Sequence, residues 1–413
     1  MRVTALIGAL LFPACVISEP IDPRQASDSL PAEPASDPAA ASQQLQVLSN
    51  HTNDEILASL QDSPQKRSGE CTLKNLSIRR EWGTLSKSER ESYIKAVQCI
   101  QKLPARTPSA LVPGAKSRYD DFVATHINQT LNIHYTGTFL AWHRWFTWEY
   151  EQALRSECGY TGTQPYWDWA ITANTSMETS PLFDGSATSL SGNGAPIANQ
   201  ADIVLGASTG LPPIYLPPGT GGGCVTSGPF KDMSVNLGPV ALDQPGGTSS
   251  GSGPAVPGQF ACNPRCLKRD LSTAVNRRYA NASSVVGLVL GSDDVDAFQM
   301  AMQGVPGSGS IGVHGGGHYS LGGDPGRDVF VSPGDPAFYA HHSQIDRVWT
   351  IWQWLDIEKR QNQVAGTGTF LNSPPSPDTT LDTVVDLGYA AGRPTKMADL
   401  MSTVNGPFCY LYA

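Results

Sequence analysis

The sequence predicts a mainly α-helical protein whose core is an antiparallel four-helix bundle, with long loops rich in Gly, Pro and Ser. Helix-capping signals and apolar residues three and four positions apart recur in the stretches 86–158 and 335–359. Between about 174 and 260 Gly, Ser and Pro dominate, which indicates a long surface excursion. Histidines fall inside the helical stretches, and helix bundles build their sites from side chains that point inward.

The first 67 residues are predicted to be removed from the mature protein. Residues 1–18 are expected to be a signal peptide, because a positive start precedes a short apolar run that ends in small residues. Residues 19–67 are rich in Pro, Ser, Ala and Asp and are expected to form a disordered N-terminal pro-segment. This segment ends in Lys66-Arg67, a dibasic pair where a processing protease would cut. The catalytic core would then span 68–413 and be secreted into the extracellular space.

The net charge, the glycosylation sequons and the cysteine content agree with a secreted protein. The formal net charge of −9 argues against nucleic acid and anionic membrane surfaces as partners. Five sequons make the chain a candidate glycoprotein: Asn50, Asn75, Asn128, Asn174 and Asn281. Outside the signal peptide there are enough cysteines for three disulfides and one remaining thiol: Cys71, Cys99, Cys158, Cys224, Cys262, Cys266 and Cys409.

The first two core helices are predicted from capping and periodicity. The capping box Ser86–Glu89 opens a helix that runs to about Gln101. Farther on, an apolar stripe joins Tyr119 and Phe122 to His126 at helical spacing. His126 is therefore expected to point in the same direction as the core residues.

Two more helices are predicted from their ends. One runs from Trp142 to Cys158 and is stopped by Gly159, since glycine readily takes the left-handed conformation that closes a helix. The last strong helix is expected to have Asp335 as its N-cap and Pro336 at its first position, and to continue to about Lys359.

Six of the eight histidines form two ordered triples, with spacings of 8 and 9 residues in the first and 4 and 24 in the second. Neither triple has an Asp, Glu or Cys at ligand spacing, apart from carboxylates on helix turns. All-imidazole ligation favours copper or zinc. Two such sites side by side predict a dinuclear copper centre with dioxygen as co-substrate, held by His126, His134 and His143, and by His314, His318 and His342.

The second triple raises two questions of detail. His314 and His318 are separated by three glycines, which are poor helix formers but would leave that side of the metal bare. Adjacent His341 and His342 cannot both face one metal, and spacing alone does not choose between them. We choose His342, because Asp346 lies one turn away on the same face and could orient the ligand network.

These motifs resemble the tyrosinase and catechol oxidase family of coupled binuclear copper proteins, and the similarity extends from about residue 70 to the C-terminus. The resemblance implies the two ligand triples named above. It also implies that Tyr410-Leu411-Tyr412 closes the core by packing on an arginine, either Arg79 or Arg80. Because the sequence stops one residue later, we expect it to lack the C-terminal lid domain of many fungal relatives. The motifs that carry it are HYTGTFLAWHRWFTWEYE at 134–151, PYWDW at 165–169, HGGGH at 314–318 and DPAFYAHHSQIDRVWTIWQ at 335–353.

The family's arginine and Tyr-X-Tyr elements also imply a disulfide pattern. They bring the two ends of the core together, so Cys71 is expected to bond Cys409. We expect Cys99 to pair with Cys158. Cys224 is expected to pair with either Cys262 or Cys266.

Several departures from the family pattern bear on the reaction. Asn132 stands where fungal relatives often carry a cysteine bonded to the second ligand, so no thioether is expected. Tyrosinases of the family have an Asn after the first ligand of the second site and a Glu upstream, which together hold a water that deprotonates a monophenol. Here these positions are Gly315 and Gln303, and the residue over the first copper is Val329 rather than a bulky Phe.

The sequence therefore predicts a catechol oxidase that converts o-diphenols to o-quinones, with small phenolic substrates such as catechols and aminophenols and only weak monophenol hydroxylation. Three alternatives stay open. A full tyrosinase would hydroxylate monophenols readily. A haemocyanin-like carrier would bind oxygen without turnover, and a dizinc hydrolase would contain zinc.

Overall fold

The computed structural model of the chain describes residues 30–35, 37–61, 71–206, 210–242 and 258–413. The chain divides into two units, 1–31 and 32–413, and every element below belongs to the second. The predicted signal peptide and the cleavage site at Lys66-Arg67 lie outside the described residues. None of the helices described is long and apolar enough to cross a membrane.

The described residues form a mostly helical protein with short two-stranded sheets, which confirms the predicted fold class. The helices are α1 Pro38–Gln61, α2 Lys87–Ile100, α3 Arg118–Ile133, α4 Phe139–Cys158, α5 Trp169–Asn174, α6 Thr273–Tyr279, α7 Ala282–Gly291, α8 Val295–Gln303, α9 Gly312–Leu321, α10 Ala337–Trp354 and α11 Ile357–Arg360. The strands are β1 Ser77–Arg79, β2 Gly194–Pro196, β3 Ile203–Leu205, β4 Ile214–Leu216, β5 Gly222–Val225, β6 Ser234–Val235, β7 Arg265–Cys266, β8 Val384–Val385, β9 Thr395–Lys396 and β10 Tyr410–Tyr412. Single 3₁₀ turns lie at Trp82–Thr84, Ser332–Gly334, Phe370–Asn372, Gly388–Ala390 and Met397–Leu400.

Local signals account for the helix ends. The predicted capping box of α2 is present, with the Ser86 hydroxyl accepting from the Glu89 amide and the Glu89 carboxylate accepting from the Ser86 amide. A second capping box, formed by Ser117 and Asp120, opens α3. Gly159 ends α4 with a positive φ of 67°, as predicted.

The predicted bounds of α10 need correction. Asp335 does not cap it directly, because Pro336 occupies the N-cap position; the Asp335 carboxylate instead accepts from the Ala337 amide at 2.8 Å. The helix ends at Trp354 rather than near Lys359, and the short α11 follows.

The long excursion in the middle of the chain is not structureless. β3 pairs with β4, β2 with β5 and β6 with β7, and each pair is antiparallel. Cys224 bonds Cys266, one of its two predicted partners, while Cys262 is a free, exposed cysteine. The disulfide therefore ties this region to the chain that leads into α6.

The prediction that residues 19–67 are disordered is wrong for α1. This helix packs on α7 and α10, and it buries Leu45, Leu48 and Ile56. Arg347 on α10 donates to the Ser49 hydroxyl at 3.1 Å. Composition suggested disorder because the helix is framed by Pro, Ser and Ala, yet its apolar residues recur at helical spacing and gain a partner surface in the fold.

The two ends of the core meet, as predicted. β1 and β10 pair in parallel, and the Cys71–Cys409 disulfide joins the segments beside them. Cys99 bonds Cys158, also as predicted. Of the two candidate arginines, Arg79 is the one that meets the Tyr-X-Tyr motif, lying 3.7 Å from the centre of the Tyr410 ring.

Arg79 is fully buried among charged and phenolic groups. It donates to the Glu151 carboxylate at 2.6 Å and to the Tyr412 hydroxyl at 2.9 Å, and its guanidinium lies 3.6 Å from the Asp346 carboxylate. Removing one member of a buried ion pair leaves the others uncompensated, which is costly in a low-dielectric interior.

Arg79→Met is therefore expected to lower the free energy of unfolding by about 3–5 kcal/mol. Arg80→Met is the matched control, because Arg80 pairs with Glu89 at the half-exposed surface and should contribute no more than ~1 kcal/mol. Urea unfolding of the two variants measures the difference, and similar losses in both would contradict a special role for Arg79.

The glycines between His314 and His318 allow close packing of α9. A side chain at Gly317 would place its Cβ 2.2 Å from Cε1 of His341, and one at Gly316 would meet Tyr279 at 2.8 Å. Gly315 has more room, since its nearest neighbour would be the Ile311 Cβ at 3.0 Å. The expectation that these glycines leave the metal bare therefore applies at most to Gly315.

Gly317→Ala is expected to unfold at markedly lower urea concentration than the native chain, because the His341 ring has to move. Gly315→Ala should lie within ~1 kcal/mol of the native chain, since the helix propensity gained offsets a small adjustment of Ile311. Equal stability of the two variants would show that the packing against His341 is not needed.

Candidate metal centre

Two clusters of buried histidines face each other in the core. His126 lies on α3, His134 directly follows that helix, and His143 lies on α4. The second cluster contains His314 and His318 of α9 with His341 and His342 of α10. Within each cluster, one ligand atom per residue lies within 4.8 Å of the others.

Ring contacts join the two clusters. The His143 and His342 rings stack with centroids 4.4 Å apart, and the His134 and His314 centroids are 5.7 Å apart. The predicted triples are thus brought together as a pair of adjacent sites. Helix contacts between α4 and α10 hold this arrangement.

Backbone carbonyls orient four of the imidazoles. In each of these rings Nδ1 lies within hydrogen-bond distance of a carbonyl oxygen, which can only accept, so Nδ1 carries the proton and Nε2 keeps a lone pair. The Nε2 atoms of His126, His143 and His314 are buried and have no hydrogen-bond partner. The Nδ1 contacts are His126 with Phe330 at 2.8 Å, His134 with Thr130 at 2.9 Å, His143 with Phe139 at 2.7 Å and His318 with Gly326 at 2.9 Å.

Burial keeps the cluster uncharged. It lowers the pKa of His134 and His318 to about 4, and lowers the pKa of His126, His143, His314 and His342 well below the usual value. Metal binding needs deprotonated imidazoles. Buried, neutral rings with unpartnered Nε2 atoms therefore fit two metal ions that prefer nitrogen ligands.

Hydrogen bonding separates His341 from His342. The Trp169 indole N–H, which can only donate, lies 3.1 Å from Nδ1 of His341. In a neutral ring that accepts at Nδ1 the proton is on Nε2, so His341 has no lone pair left to offer there. The Nε2 atom of His342 instead lies 3.4 Å from Nε2 of His318. The Nε2 atom of His341 is also buried without a partner, so the choice of His342 as the ligand stays a prediction.

The carboxylate of Asp346, which was predicted to orient the ligand network, contacts an arginine and two tyrosines. It forms no hydrogen bond with a histidine in the described structure. Its carboxylate accepts from Arg144 at 2.5 Å and from the Tyr410 and Tyr412 hydroxyls at 2.6 Å each. Helical spacing put it on the face of His342, but the buried arginine next to His143 is the stronger partner for a carboxylate.

A pocket of about 360 Å³ opens over the histidines. His134, His314 and His318 lie at its floor, and Gln303, Gly315 and Val329 are among its walls, so the structure brings together the three pocket residues singled out from the sequence. Most of the remaining wall is apolar, with Leu205, Leu211, Ile214, Val305 and Phe370.

Both ends of the Gln303 side-chain amide have a hydrogen-bond partner at the wall of this pocket. Its carbonyl oxygen accepts from the Tyr135 amide at 2.7 Å, and its nitrogen donates to the Gln299 carbonyl at 3.1 Å. Gln303 therefore ties α8 to the residue that follows His134.

Sequence reasoning missed two elements of the site. One is Trp169, within the quoted PYWDW motif, whose indole fixes the orientation of His341. The other is the loop 326–330, whose carbonyls hold His318 and His126. Backbone carbonyls leave no residue-type signal, so only the folded chain could identify this loop.

Comparison with known proteins agrees with the site. Residues 116–355 match the common central domain of tyrosinase. The chain is 47% identical over 337 residues to Tyrosinase P of Aspergillus terreus, covering 81% of this chain and 91% of the relative. It is 41% identical over 356 residues to N-acetyl-6-hydroxytryptophan oxidase ivoB of Emericella nidulans, covering 83% and 94%.

A solved structure is similar throughout its length. A variant of the polyphenol oxidase from Thermothelomyces thermophila superposes with a TM-score of 0.82 at 46% sequence identity, covering 89% of this chain and 97% of that one. The matched residues 116–355 include the α-helices that carry both histidine clusters. The chain therefore belongs to the tyrosinase family of oxidases.

Proposed function

We propose that this chain is a dicopper oxidase of o-diphenols, with His126, His134 and His143 holding one copper and His314, His318 and His342 the other. The observation that carries the proposal is the pair of facing, buried imidazole clusters with unpartnered Nε2 atoms. Copper suits such a site, because imidazole ligands accommodate both of its common oxidation states.

Bound copper would supply a two-electron path from the diphenol to dioxygen. Two o-diphenols each lose two electrons and two protons and become o-quinones, and one dioxygen takes up four electrons and four protons to give two waters. The reaction therefore balances without a further reductant.

The chain's own residues prepare the site for this reaction. The carbonyls of Thr130, Phe139, Gly326 and Phe330 fix the rings, so little reorganisation is needed when ligands bind. The apolar pocket walls receive the aromatic ring and exclude water around it.

The pocket offers little help with a monophenol. Among the residues described at its lining, none is an Asp or Glu. Gln303 cannot take a proton, both ends of its amide already have partners, and Gly315 provides no side chain to hold a water. A catechol is more acidic than a monophenol and can reach both metals, so it depends less on a base. We therefore favour diphenol oxidation over monophenol hydroxylation.

A full tyrosinase is the second candidate, because one relative bears that name.

The open pocket argues against an oxygen carrier, whose site has to be covered against phenols. Steady oxygen uptake with catechol by the copper-loaded protein tests the oxidase directly. No uptake with catechol, together with reversible oxygen binding, would support the carrier. Zinc instead of copper in the purified protein would support the hydrolase.

Secretion and cleavage at Lys66-Arg67 remain predictions. The helix α1, which precedes this site, contributes none of the residues described at the pocket lining. We therefore expect that α1 does not block the entry of small phenols in the uncleaved chain.

Replacing His342 by Ala is expected to remove the second copper, leaving about half the metal, and to abolish nearly all oxidase activity. His341→Ala is the matched control and should retain both metals, because its Nδ1 accepts from Trp169. Elemental analysis of the purified variants gives the metal content. Full loading in His342→Ala with loss in His341→Ala would reverse the assignment.

Gln303→Glu combined with Gly315→Asn is expected to raise the rate on a monophenol relative to its matching catechol by about tenfold or more, since a positioned base typically contributes at least that factor. A Cβ at position 315 would lie 3.0 Å from the Ile311 Cβ, so Ile311 has to shift by a few tenths of an ångström. The single variant Gly315→Asn separates the effect of the water-holding amide from that of the base. The argument fails if the native enzyme already hydroxylates tyrosine as fast as it oxidises catechols.

A further inference from the structure

The turn at Phe370–Asn372 holds a leucine in a backbone conformation that leucine rarely adopts. Leu371 has φ 48° and ψ 34°, in the left-handed region, and Asn372 follows with φ 53°. This region is unfavourable for a bulky L-residue, and Gly, Asn or Asp is its usual occupant. Strain of this kind persists only where the surroundings impose it, and it is concentrated at functional sites.

A hydrogen bond and a ring contact fix this turn to the residue that follows a proposed copper ligand. The Leu371 amide donates to the Tyr135 carbonyl at 3.2 Å, and the rings of Tyr135 and Phe370 lie 5.0 Å apart. Tyr135 directly follows His134 and has a positive φ of its own, 50°. The backbone of Leu371 therefore has a set position relative to the histidine clusters.

The side chain of Leu371 lines the pocket over the histidines and is not buried in the core. It is 45% exposed, and Val305 on the same lining is equally exposed. A leucine gains stability mainly through the apolar area that it removes from water. Packing in the core therefore does not explain why a leucine stands where Gly or Asn would be unstrained.

The pocket is also larger than a single phenol ring requires. Its volume of about 360 Å³ falls within the range of pockets that hold drug-sized ligands. The histidines form its floor, whereas Leu371 and Val305 belong to the exposed part of its wall. A ring over the histidines leaves room for a substituent that reaches this wall.

We propose that Leu371 is a specificity-determining residue that contacts an apolar substituent, alkyl or aryl, on the diphenol ring. The proposal rests on the proposed oxidase function and names its substrate class: o-diphenols whose ring carries an apolar side arm. Such an arm would remove apolar surface of both partners from water. The strained leucine would then be retained because neither Gly nor Asn offers an apolar side chain for this contact.

Binding of rings that cannot form quinones tests the contact without turnover. The probes are benzamide and 4-tert-butylbenzamide, and calorimetry measures their affinities. The butyl arm is expected to tighten binding to the native protein about tenfold, since each buried methylene contributes roughly a fourfold factor. In Leu371→Asn, which keeps the side-chain size but is polar, this gain should fall at least about threefold. An unchanged gain in Leu371→Asn would overturn the proposal.

Stability separates a binding role from a structural one. Leu371→Gly should unfold at the same urea concentration as the native chain or a higher one, because glycine takes the left-handed conformation without strain. Leu111→Asn is the matched control for binding, since Leu111 is an exposed leucine outside the pocket lining. It should keep the full gain from the butyl arm. A marked loss of stability in Leu371→Gly would show that the leucine serves the fold and would refute the proposal.

Turnover provides a further readout. The ratio of kcat/KM for 4-tert-butylcatechol to that for catechol should fall at least about threefold in Leu371→Asn, mainly through KM. An equal fall for both substrates would refute selectivity. If the butyl arm tightens binding through Leu371 but no catechol is oxidised, the oxidase function fails and the apolar contact stands. If catechols are oxidised with the same ratio in the native enzyme and in Leu371→Asn, the oxidase function stands and this proposal fails.

Discussion

The buried ionic cluster around Asp346 is the interaction on which the rest of the structure depends. Asp346 lies one turn after His342 on α10, and its partner Arg144 directly follows His143 on α4. The pair therefore joins the two helices that supply one proposed ligand to each metal. Because a buried carboxylate is costly without partners, the two helices cannot separate without exposing or stranding charge.

The same cluster reaches the ends of the core. Tyr410 and Tyr412 donate their hydroxyl hydrogens to Asp346, and Arg79 bridges Tyr412 to Glu151 of α4. The Cys71–Cys409 disulfide lies beside this junction. One network of contacts therefore supports both the junction of the two core ends and the geometry of the site. A residue far along the chain from any histidine, such as Arg79, belongs to this network.

Within this frame the site is shaped by backbone atoms more than by side chains. Carbonyl oxygens fix the tautomer of four imidazoles, and the Trp169 indole N–H donates to Nδ1 of His341. The pocket above is formed by segments outside the central helices, including Gln303 at the end of α8 and the loop with Arg327 and Val329.

The sequence by itself determined the features that depend on residue type and on spacing along the chain. The capping box at Ser86–Glu89, apolar periodicity and Gly159 gave α2, α3 and α4, and the spacing of the histidines gave the two clusters. Family resemblance gave the chain-end contact and the disulfides Cys71–Cys409 and Cys99–Cys158.

Tertiary structure decided what depends on partners distant in the chain. Composition could not show that α1 finds a surface on α7 and α10, nor could helical spacing show that Asp346 prefers Arg144 to a histidine. The physical reason is the same in each case. Burial and hydrogen bonding depend on the neighbouring residue as much as on the residue itself, and only the folded chain shows which residue that neighbour is.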